Sequence, residues 1–468
     1  MNIPAHPHTL FKGQRFAVFG LGRNGLSAVC ALAMYGAHVQ AWDDTEATRS
    51  ALKQHLSSSQ QKHVYLAPFT TLEGFTALIL SPGIPHHLPY PHPIAQYAKQ
   101  AGIPILSDAE LLYRAVRSYG SQARFIGITG TNGKSTTTAL LAHIFHQAEI
   151  PTAAGGNLGP AALSLPLLPN RGIYVLEMSS YMLERLKSLH FNAACLLNLT
   201  PDHLDRHGDM TGYTHAKMHI FNHQTPQDLA VIGVDDPLCR HIAHTLFQKR
   251  NVICETISTT DPTSTYFGEN GTLWHHDHVL AHTGPTLLGC HNMQNAAAAV
   301  AMARFMGISD QAVAQALLSF PGLPHRQKRV ATCHNITFID DSKATNAEAT
   351  SWALECYEKV IWIAGGLAKD NGITPLIPLF HRLVHTFLIG KDAPILASTL
   401  AAHHVPYSMV DTLENAVPAA YHEARRTSTT IILLSPACAS FDQFANFEAR
   451  GIRFQELVQN ICQTAQES

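Results

Sequence analysis

Charged side chains are scarce in this chain of 468 residues. Asp, Glu, Lys and Arg together make up 14% of it, against roughly 25% in typical soluble domains. Basic and acidic residues nearly balance, 32 against 34, so no cationic surplus exists to neutralise a nucleic-acid backbone. We therefore expect no nucleic acid among the partners. The 30 histidines do not fall at metal-site spacing, and we interpret most of them as neutral surface polarity.

The sequence also lacks long apolar runs and paired cysteines. No apolar stretch reaches the roughly 18 residues that a membrane span needs, and Lys12, Arg15 and Arg23 interrupt any signal-peptide core. The nine cysteines are odd in number and contain no C-x-x-C pair, which argues against a disulfide framework or a zinc ribbon. These absences predict a cytoplasmic protein without a membrane partner.

Strand-like and helical segments alternate along most of the chain, which predicts an α/β fold. At roughly 150 residues per domain the length suggests about three domains, and we place them at 1–114, 115–322 and 323–468. The segment 256–290, rich in Thr, Ser, Gly and His, is expected to form hairpins or irregular insertions. The clearest strand-like segments are 15–20, 38–43, 77–81, 124–129, 172–176, 193–197, 230–234, 337–340, 360–364, 386–389 and 430–434.

The strongest local signal is a glycine-rich loop between a strand and a helix, Gly127-Ile-Thr-Gly-Thr-Asn-Gly-Lys-Ser135. Glycines let backbone N–H groups turn towards phosphate oxygens, and the following helix N-terminus favours anions. In such a P-loop Lys134 would reach the β- and γ-phosphates and the Ser135 hydroxyl would hold Mg²⁺. Ile128 stands where the strict pattern has its first glycine, so an ordinary βα turn is the alternative.

A second glycine pattern, Gly20-x-Gly22-x-x-Gly25, follows the first strand, and Asp43 follows the next one. Alone it resembles a dinucleotide fingerprint. Because the P-loop already supplies a nucleotide site, we interpret this turn as binding another nucleotide or diphosphate. A tight turn needed only for packing is the alternative.

Acidic and imidazole side chains follow the P-loop along the chain. Glu177 ends a strand, and His203 lies in the stretch Asp202-His-Leu-Asp-Arg-His-Gly208. A carboxylate and an imidazole beside a P-loop favour Mg²⁺ binding. A packed loop histidine is the alternative for His203, and Lys217 by itself would be a solvated helix lysine.

The last segment carries three polar loops after strands and a His-Arg pair at 325–326. In α/β proteins sites form at the carboxyl ends of strands, and Arg326 and Lys369 could bind carboxylate or phosphate oxygens. From spacing alone each of these residues is only a candidate.

Taken together these motifs resemble the Mur ligases, and in particular the MurD branch. The resemblance extends from Gly20 to Gly451 with the motifs in order, which implies three domains: Rossmann-like, P-loop ATPase-like and Rossmann-like. The shared motifs are Gly-Thr-Asn-Gly-Lys-Ser (130–135), Asp-His-Leu-Asp-Arg-His-Gly (202–208), His-Asn-Met-Gln-Asn (291–295), His-Arg (325–326), Ser-Pro-Gly-Ile (81–84), Asp-Ser-Lys-Ala-Thr-Asn (341–346) and 435–451.

The resemblance implies an ATP- and Mg²⁺-dependent ligase that adds glutamate to UDP-N-acetylmuramoyl-L-alanine through an acyl phosphate, in cytoplasmic peptidoglycan precursor synthesis. It implies a monomer and does not itself tell D- from L-glutamate. By resemblance Lys134, His203, Lys217 and Arg326 are catalytic. ATP is assigned to Gly130, Thr131, Asn132, Gly133, Lys134, Ser135, Thr136, Asn292, Asn295, Arg326 and Asp341.

The same resemblance assigns the two other substrates and the metal. Magnesium is assigned to Ser135, Glu177, His203 and a carbamylated Lys217. The alternative for Lys217 is an unmodified ammonium group paired with substrate phosphate. The residues assigned to the UDP-linked substrate are Gly22, Asn24, Gly25, Asp43, Ser81, Gly83 and Asn157. Those assigned to glutamate are Thr345, Lys369, Ser440 and Phe447.

Two other classes of function stay open at this stage. A nicotinamide-dependent oxidoreductase would rest on Gly20-x-Gly22-x-x-Gly25 alone, and tight NADH binding would favour it. A nucleotide-gated scaffold would bind nucleotide without glutamate-dependent ADP release.

Overall fold

The computed structural model describes residues 7–157, 159–249, 252–369 and 372–466. The chain packs as two compact units, Met1–Gly284 with Asn292–Phe320 and Pro285–His291 with Pro321–Ser468. Among the residues described, no helix is long and apolar enough to cross a membrane. The domain boundaries at 114/115 and 322/323 stay predictions.

The first unit opens with a parallel sheet that is buried on both faces. Phe16 and Val18 of its first strand belong to one core cluster and Ala17 and Phe19 to another, as expected of a strand covered by helices on either side. Its strands are β1 (Arg15–Phe19), β2 (His38–Trp42), β3 (Val64–Leu66), β4 (Ala77–Leu80) and β5 (Ile105–Leu106). The helices around it are α1 (Arg23–Met34), α2 (Glu46–His55), α3 (Ser58–Gln61), α4 (Pro93–Gln100) and α5 (Asp108–Ser118), after a 3₁₀ turn at Pro7–Thr9.

The order β3-β2-β1-β4-β5 puts β1 between β2 and β4. The direction of winding therefore reverses beside β1, which is where open α/β sheets form their ligand crevice. The glycine turn after β1 lies at that point, as does Ser81 after β4.

The second sheet of this unit contains the P-loop strand. Its strands are β6 (Arg124–Thr129), β7 (Thr152–Gly156), β8 (Ile173–Glu177), β9 (Ala193–Leu196), β10 (Leu229–Gly233), β11 (Ile253–Ser258), β12 (Tyr266–Glu269), β13 (Thr272–His275) and β14 (His278–His282). Its helices are α6 (Lys134–Gln147), α7 (Ser180–Leu183), α8 (Leu204–His207), α9 (Met210–Met218), α10 (Pro237–Lys249), α11 (Cys290–Phe305) and α12 (Asp310–Ser319), with 3₁₀ turns at Ala162–Ser164 and His219–Phe221.

In this sheet the order is β14-β13-β12-β11-β10-β9-β6-β8-β7. Strands β6 to β11 are parallel, and β12, β13 and β14 form antiparallel pairs. The hairpins predicted for 256–290 are thus confirmed as an antiparallel extension. Because β6 lies between β8 and β9, the loops after these three strands meet at one sheet edge.

The second unit holds a six-stranded sheet within its described residues. The strands are β15 (Lys328–Cys333), β16 (Ile336–Asp340), β17 (Val360–Gly365), β18 (Leu383–Ile389), β19 (Tyr407–Asp411) and β20 (Ile431–Leu434). The helices are α13 (Ala347–Glu355), α14 (Ala393–Ala402), α15 (Leu413–Thr427) and α16 (Phe447–Gln466), with a 3₁₀ stretch at Thr374–Arg382.

The order in this third sheet is β15-β16-β20-β17-β18-β19, with β15 as an antiparallel edge strand. The predicted α/β class with three sheets in series is confirmed. The eleven strand-like segments all overlap strands of the structure, whereas β3, β5, β7, β15 and β19 were not predicted, and β11 begins ahead of the segment in which hairpins were expected.

Candidate active site

The P-loop connects β6 to α6 through two glycines with positive φ. Gly130 has φ +147° and Gly133, at the N-cap of α6, has φ +85°. A Cβ on Gly133 would stand 2.1 Å from Oδ1 of Asn295, so the predicted adenine-side residue Asn295 packs directly on the loop. It accepts a hydrogen bond from Thr137 Oγ1 at 3.2 Å and donates one to Oδ1 of Asn292 at 3.2 Å. The structure therefore brings Asn292, Asn295 and the loop together.

Two lysines converge on one carbonyl of this loop. Lys134 Nζ donates to the carbonyl oxygens of Gly130 (2.8 Å) and Thr131 (2.7 Å). Lys217 Nζ donates to the same Gly130 oxygen at 2.8 Å and to Thr129 Oγ1 at 3.3 Å. Burial, reinforced by the nearby charge of Lys134, holds the pKa of Lys217 well below its ordinary value. The lysine that looked like a solvated helix residue is 2% exposed and lies at the loop.

Glu177, at the end of β8, has carboxylate oxygens in two different environments. Its Oε1 accepts a hydrogen bond from Asn157 Nδ2 at 2.8 Å. Its Oε2 is buried and has no hydrogen-bond partner among the residues described. A buried carboxylate oxygen without a partner is costly unless something binds it, and hard divalent cations prefer such oxygens. The residues at this position therefore fit Mg²⁺.

His203 is the N-cap of α8 and has the left-handed conformation, φ +53°. Its backbone N–H donates to Asp202 Oδ1 at 3.0 Å, and its ring lies 5.2 Å from that of Tyr181, centroid to centroid. Burial lowers its pKa; Asp202 opposes this, while Lys134 and Lys217 add to it. The charges of both lysines thus reach the half-exposed imidazole, which lies within electrostatic range of the loop.

Other residues of the loop are held by partners that the sequence motifs did not single out. The N–H of Asn132 donates to Oδ1 of Asn198 at 2.8 Å. Thr131 Oγ1 contacts Tyr213 OH at 3.2 Å and donates to the Thr200 carbonyl at 3.1 Å. Ser135 is buried and Thr136 half-buried in the first turn of α6. Asn198 could have been found as the first polar residue after β9, two positions beyond its end.

The glycine turn after β1 is closed by the contact of Gly25 with Gly20. A Cβ on Gly25 would stand 1.8 Å from the Gly20 carbonyl oxygen, whereas one on Gly22 meets nothing within 4 Å. Asp43 accepts from the N–H groups of Leu21 (2.6 Å) and Thr45 (2.8 Å). Burial raises the pKa of Asp43, but these hydrogen bonds outweigh it and the net pKa is lowered. Asp43 therefore braces the turn as an anion.

Four more of the predicted substrate residues lie near this turn or beside the P-loop. Ser81 Oγ donates to the Gly20 carbonyl at 2.9 Å. Asn24 and Ser81 line a common small cavity. Gly83 lies two residues further along the same segment, and Asn157 is the partner of Glu177 described above.

In the second unit, the His-Arg pair lies next to the acidic end of β16. His325 Nδ1 and Asp340 Oδ2 are 2.7 Å apart, which fixes the turn that carries Arg326. Asp341 accepts from Ser435 Oγ at 2.7 Å and from the Gln327 N–H at 3.1 Å. Burial raises the pKa of Asp341 to about 7, although these hydrogen bonds and Arg326 oppose the shift.

The four residues predicted to bind glutamate follow β16, β17 and β20 or begin α16. Thr345 follows β16, Lys369 is exposed after β17, and Ser440 is buried after β20. Because these strands are neighbours in the sheet, their loops meet at one edge. Backbone hydrogen bonds between Leu367 and Ala439 (2.8 and 2.9 Å) connect the last two loops.

Arg450, on α16, is the residue of this region that the sequence motifs contained but did not assign. It is 1% exposed and donates to the carbonyl oxygens of Ser342 (2.9 Å), Cys438 (3.1 Å) and Gly365 (3.4 Å). Phe447, at the start of α16, accepts from Ser342 Oγ at 2.8 Å through its carbonyl. One guanidinium thus joins the three loops.

Comparison with known proteins identifies the family of the chain. The family model described as Mur ligase middle domain matches residues 128–303. The UDP-N-acetylmuramoylalanine–D-glutamate ligase of Paramagnetospirillum magneticum is 46% identical over 96% of this chain and 97% of its own length. The enzyme of the same name from Rhodospirillum rubrum is 44% identical over 97% and 96%.

Two solved structures share the fold at low sequence identity. UDP-N-acetylmuramate-alanine ligase MurC from Thermotoga maritima has a TM-score of 0.61 and 18% identity, covering 96% of this chain and 99% of its own. The MurF ligase from Thermotoga maritima, in complex with ADP, has a TM-score of 0.59 and 15% identity, covering 97% and 99%. With the near-full-length identity of over 40% to the two enzymes above, these findings establish that the chain belongs to the Mur ligase family, in its branch of UDP-N-acetylmuramoylalanine–D-glutamate ligases.

Proposed function

We propose that this protein is an ATP-dependent ligase that joins D-glutamate to UDP-N-acetylmuramoyl-L-alanine and forms ADP and phosphate. The observation that carries the proposal is the cluster around the P-loop: Lys134 and Lys217 share one loop carbonyl, and beside it Glu177 has a buried oxygen that meets no hydrogen-bond partner within the described part of the chain. This cluster combines anion-binding groups with a cation-binding group. Such a combination suits phosphoryl transfer.

ATP is the substrate of the P-loop in this proposal. Residues 130–136 would surround its phosphates with backbone N–H groups, with the N-terminus of α6 behind them. Lys134 would exchange its two loop carbonyls for phosphate oxygens. We assign Asn292 and Asn295 to the adenine side, and Arg326 and Asp341 to ATP as well.

The UDP-linked substrate belongs, in this proposal, to the turn after β1 and its surroundings. Gly22 is the N-cap of α1 and Asn24 lies in its first turn, and a helix N-terminus favours a diphosphate. The uridine part is assigned to Asp43, and further contacts to Gly25, Ser81 and Gly83. Asn157 would contact the far end of the substrate, where its partner Glu177 lies.

The chemical task is to make a carboxylate acylate an amine. Oxide is a poor leaving group, so the γ-phosphoryl group of ATP is first transferred to the substrate carboxylate. The glutamate amine then attacks the acyl phosphate, phosphate leaves, and an amide bond forms. Lys134 and Arg326 would neutralise the developing charge, while Lys369, Thr345, Ser440 and the Phe447 backbone would orient the glutamate carboxylates.

Magnesium fits the residues beside the P-loop. Ser135 and Glu177 would hold one ion, and His203 with a modified Lys217 a second. When bound, Mg²⁺ would supply charge neutralisation for the crowded phosphate oxygens. Asn157 keeps Glu177 oriented through the hydrogen bond at 2.8 Å.

Lys217 is proposed to react with CO₂. A neutral amine is the reactive form: its nitrogen bonds to the carbon of CO₂ and a proton is released, which leaves an anionic carbamate. A free lysine at pH 7 is almost fully protonated because its pKa is roughly 10.4. The burial and the Lys134 charge that lower the pKa of Lys217 therefore favour the modification, and Lys217 would then carry the oxygens that bind a metal.

The decisive experiment measures phosphate release with UDP-N-acetylmuramoyl-L-alanine, ATP and each glutamate enantiomer. We expect release with D-glutamate and little with L-glutamate. Lys134→Ala should abolish it, while Lys99→Ala, a change at an exposed helix lysine, should not. Release that does not depend on glutamate, or tight NADH binding without binding of the UDP-sugar, would refute the assignment.

Carbamylation has its own test. Lys217→Arg keeps the positive charge but cannot form the carbamate, so it should be inactive. Wild-type activity should fall in CO₂-depleted buffer and return with bicarbonate, and the intact mass should show the added CO₂ under mild conditions. Near-normal turnover of Lys217→Arg would instead support an ammonium paired with phosphate.

A further inference from the structure

The segment Leu80–Ile84, which contains the last residue of β4 and the four residues after it, is held by two arginines from elsewhere in the chain. Arg185 follows α7 and Arg206 lies on α8. Between them their guanidinium groups reach the carbonyl oxygens of four residues of the segment. We call Arg185 and Arg206 the arginine clamp.

Arg185 is almost completely buried, with 2% exposure. Its Nη1 donates to the Leu80 carbonyl at 2.5 Å, and its Nη2 donates to the Ile84 carbonyl at 3.1 Å. One planar group therefore bridges both ends of the segment. Burial lowers the pKa of this guanidinium to about 10, so Arg185 remains charged at neutral pH. Burying a charge is costly, which calls for a specific reason to keep it there.

Arg206 holds the middle of the same segment. Its Nη1 donates to the Gly83 carbonyl at 3.1 Å, and its Nη2 makes a longer contact of 3.5 Å with the Pro82 carbonyl. The guanidinium is stacked over the Tyr181 ring at 4.7 Å from its centroid. Stacking restricts the plane of the group, so its two donors are aimed before any ligand arrives.

The remaining residue of the segment, Ser81, is tied to the glycine turn. Its hydroxyl donates to the Gly20 carbonyl at 2.9 Å and its N–H to the Phe19 carbonyl at 3.1 Å. The position of the segment is therefore also the position of the turn after β1. A displacement of the segment would move the side chain and backbone that we assign to the UDP-linked substrate.

From this geometry we infer that Arg185 and Arg206 are positioning residues that fix Leu80–Ile84 for the UDP-linked substrate. The inference rests on the proposed function for the identity of that substrate. The clamp acts through backbone carbonyls, so it needs the planar guanidinium and not merely a positive charge. Neither arginine is required to contact the reacting atoms.

The kinetic test compares Arg185→Lys, Arg185→Met, Arg206→Lys and Arg206→Gln with the wild type. Each change should raise the KM for UDP-N-acetylmuramoyl-L-alanine about tenfold or more, since hydrogen bonds to a charged donor are lost, while kcat and the KM for ATP stay within about twofold. A lysine at either position should not restore the wild-type KM for the UDP-linked substrate. Wild-type KM in Arg185→Lys would overturn the inference, because a point charge would then suffice.

Hydrogen exchange of the substrate-free protein tests the clamp without any activity. The N–H groups of Ser81 and Ile84 are hydrogen-bonded to the carbonyls of Phe19 and Ser81, so they report on the segment directly. Both Arg206 variants, at a half-buried site where folding is little at risk, should speed their exchange about tenfold. Unchanged exchange there would overturn the inference.

Arg117→Gln is the matched control. Arg117 also donates to two backbone carbonyls, those of Ser121 (2.8 Å) and Ala123 (3.1 Å), but it does not hold the segment. Arg117→Gln should leave both the substrate KM and the exchange of Ser81 and Ile84 as in the wild type. If it raised the KM and the exchange rates as much as the clamp variants do, the effects would be those of general destabilisation and the inference would be overturned. If the wild type does not use the UDP-sugar at all, the proposed function fails, whereas the exchange result still decides the clamp.

Discussion

Replacing Gly133 by alanine should damage the P-loop in two separable ways. The residue has φ +85°, a left-handed conformation that costs an L-residue about 1–2 kcal/mol. The new Cβ would also stand 2.1 Å from Asn295 Oδ1. Asn295 is 2% exposed and hydrogen-bonded to Thr137 and Asn292, so it cannot swing away without losing these bonds.

Gly120 offers a matched control for the backbone effect. It has φ +87° and nothing lies within 4 Å of its would-be Cβ. Its change to alanine should cost about 1 kcal/mol of unfolding free energy, because the backbone strain is partly offset by the lower entropy of the unfolded chain. Gly133→Ala adds the displacement of Asn295 and two hydrogen bonds of about 1 kcal/mol each, so it should cost about 3 kcal/mol.

Urea unfolding followed by circular dichroism measures both variants, whose positions lie in the same unit, and phosphate release gives the KM for ATP. Gly133→Ala should raise that KM, whereas Gly120→Ala should not. In the double variant Gly133→Ala/Asn295→Ala the clashing carboxamide is gone, so the cost should be smaller than the sum of the single costs. Equal stability of the two alanine variants, or strict additivity in the double variant, would refute the reasoning.

Three further expectations concern single side chains. Glu177→Gln keeps the size of the side chain and an acceptor for Asn157 but removes the charge, so the Mg²⁺ concentration at half-maximal activity should rise about tenfold or more; an unchanged Mg²⁺ titration would contradict the metal assignment. Lys369→Ala should raise the KM for glutamate far more than that for ATP, because a carboxylate loses its donor; equal effects on both would indicate a structural role. Asp341 has its pKa raised by burial from 3.8 to about 7, so the stability it contributes when protonated is present below about pH 4 and is lost as the pH rises through 7. Asp341→Asn should therefore gain roughly 2–4 kcal/mol of unfolding free energy relative to the wild type between pH 4 and pH 8, as read from urea titrations; a constant difference would show that Asp341 does not titrate in this range.

The features that could be predicted from the sequence are those that depend on residues close together along the chain. A strand of apolar residues followed by glycines and then a helix reports both β6 and its loop, because the glycines are needed where φ is positive, as at Gly130 and Gly133. The hairpins of 256–290 follow in the same way from their turn residues. Edge strands such as β3 and β15 could not be predicted, since they bury too few side chains to leave a pattern.

The features that could not be predicted are those that depend on backbone partners far away in sequence. Arg185 and Arg450 bind carbonyl groups, and a carbonyl carries no residue identity, so no motif reports such a contact. The position of Lys217 could not be predicted for the same reason. Its sequence context is that of an ordinary helix, and only the fold shows that its amine donates to the Gly130 carbonyl. The role of Lys217 came from family resemblance, which records such long-range contacts without explaining them.

The single guanidinium of Arg450 has a consequence for how a small ligand would meet the second unit. By binding the carbonyls of Ser342, Cys438 and Gly365 it connects the loops after β16 and β20 to the end of β17. The surface that a ligand would meet on this sheet edge would then be formed before binding. Little conformational entropy would be lost by ordering the loops. Recognition there would be lock-and-key. The shape and handedness of the ligand would then decide whether it binds, without later adaptation of the loops.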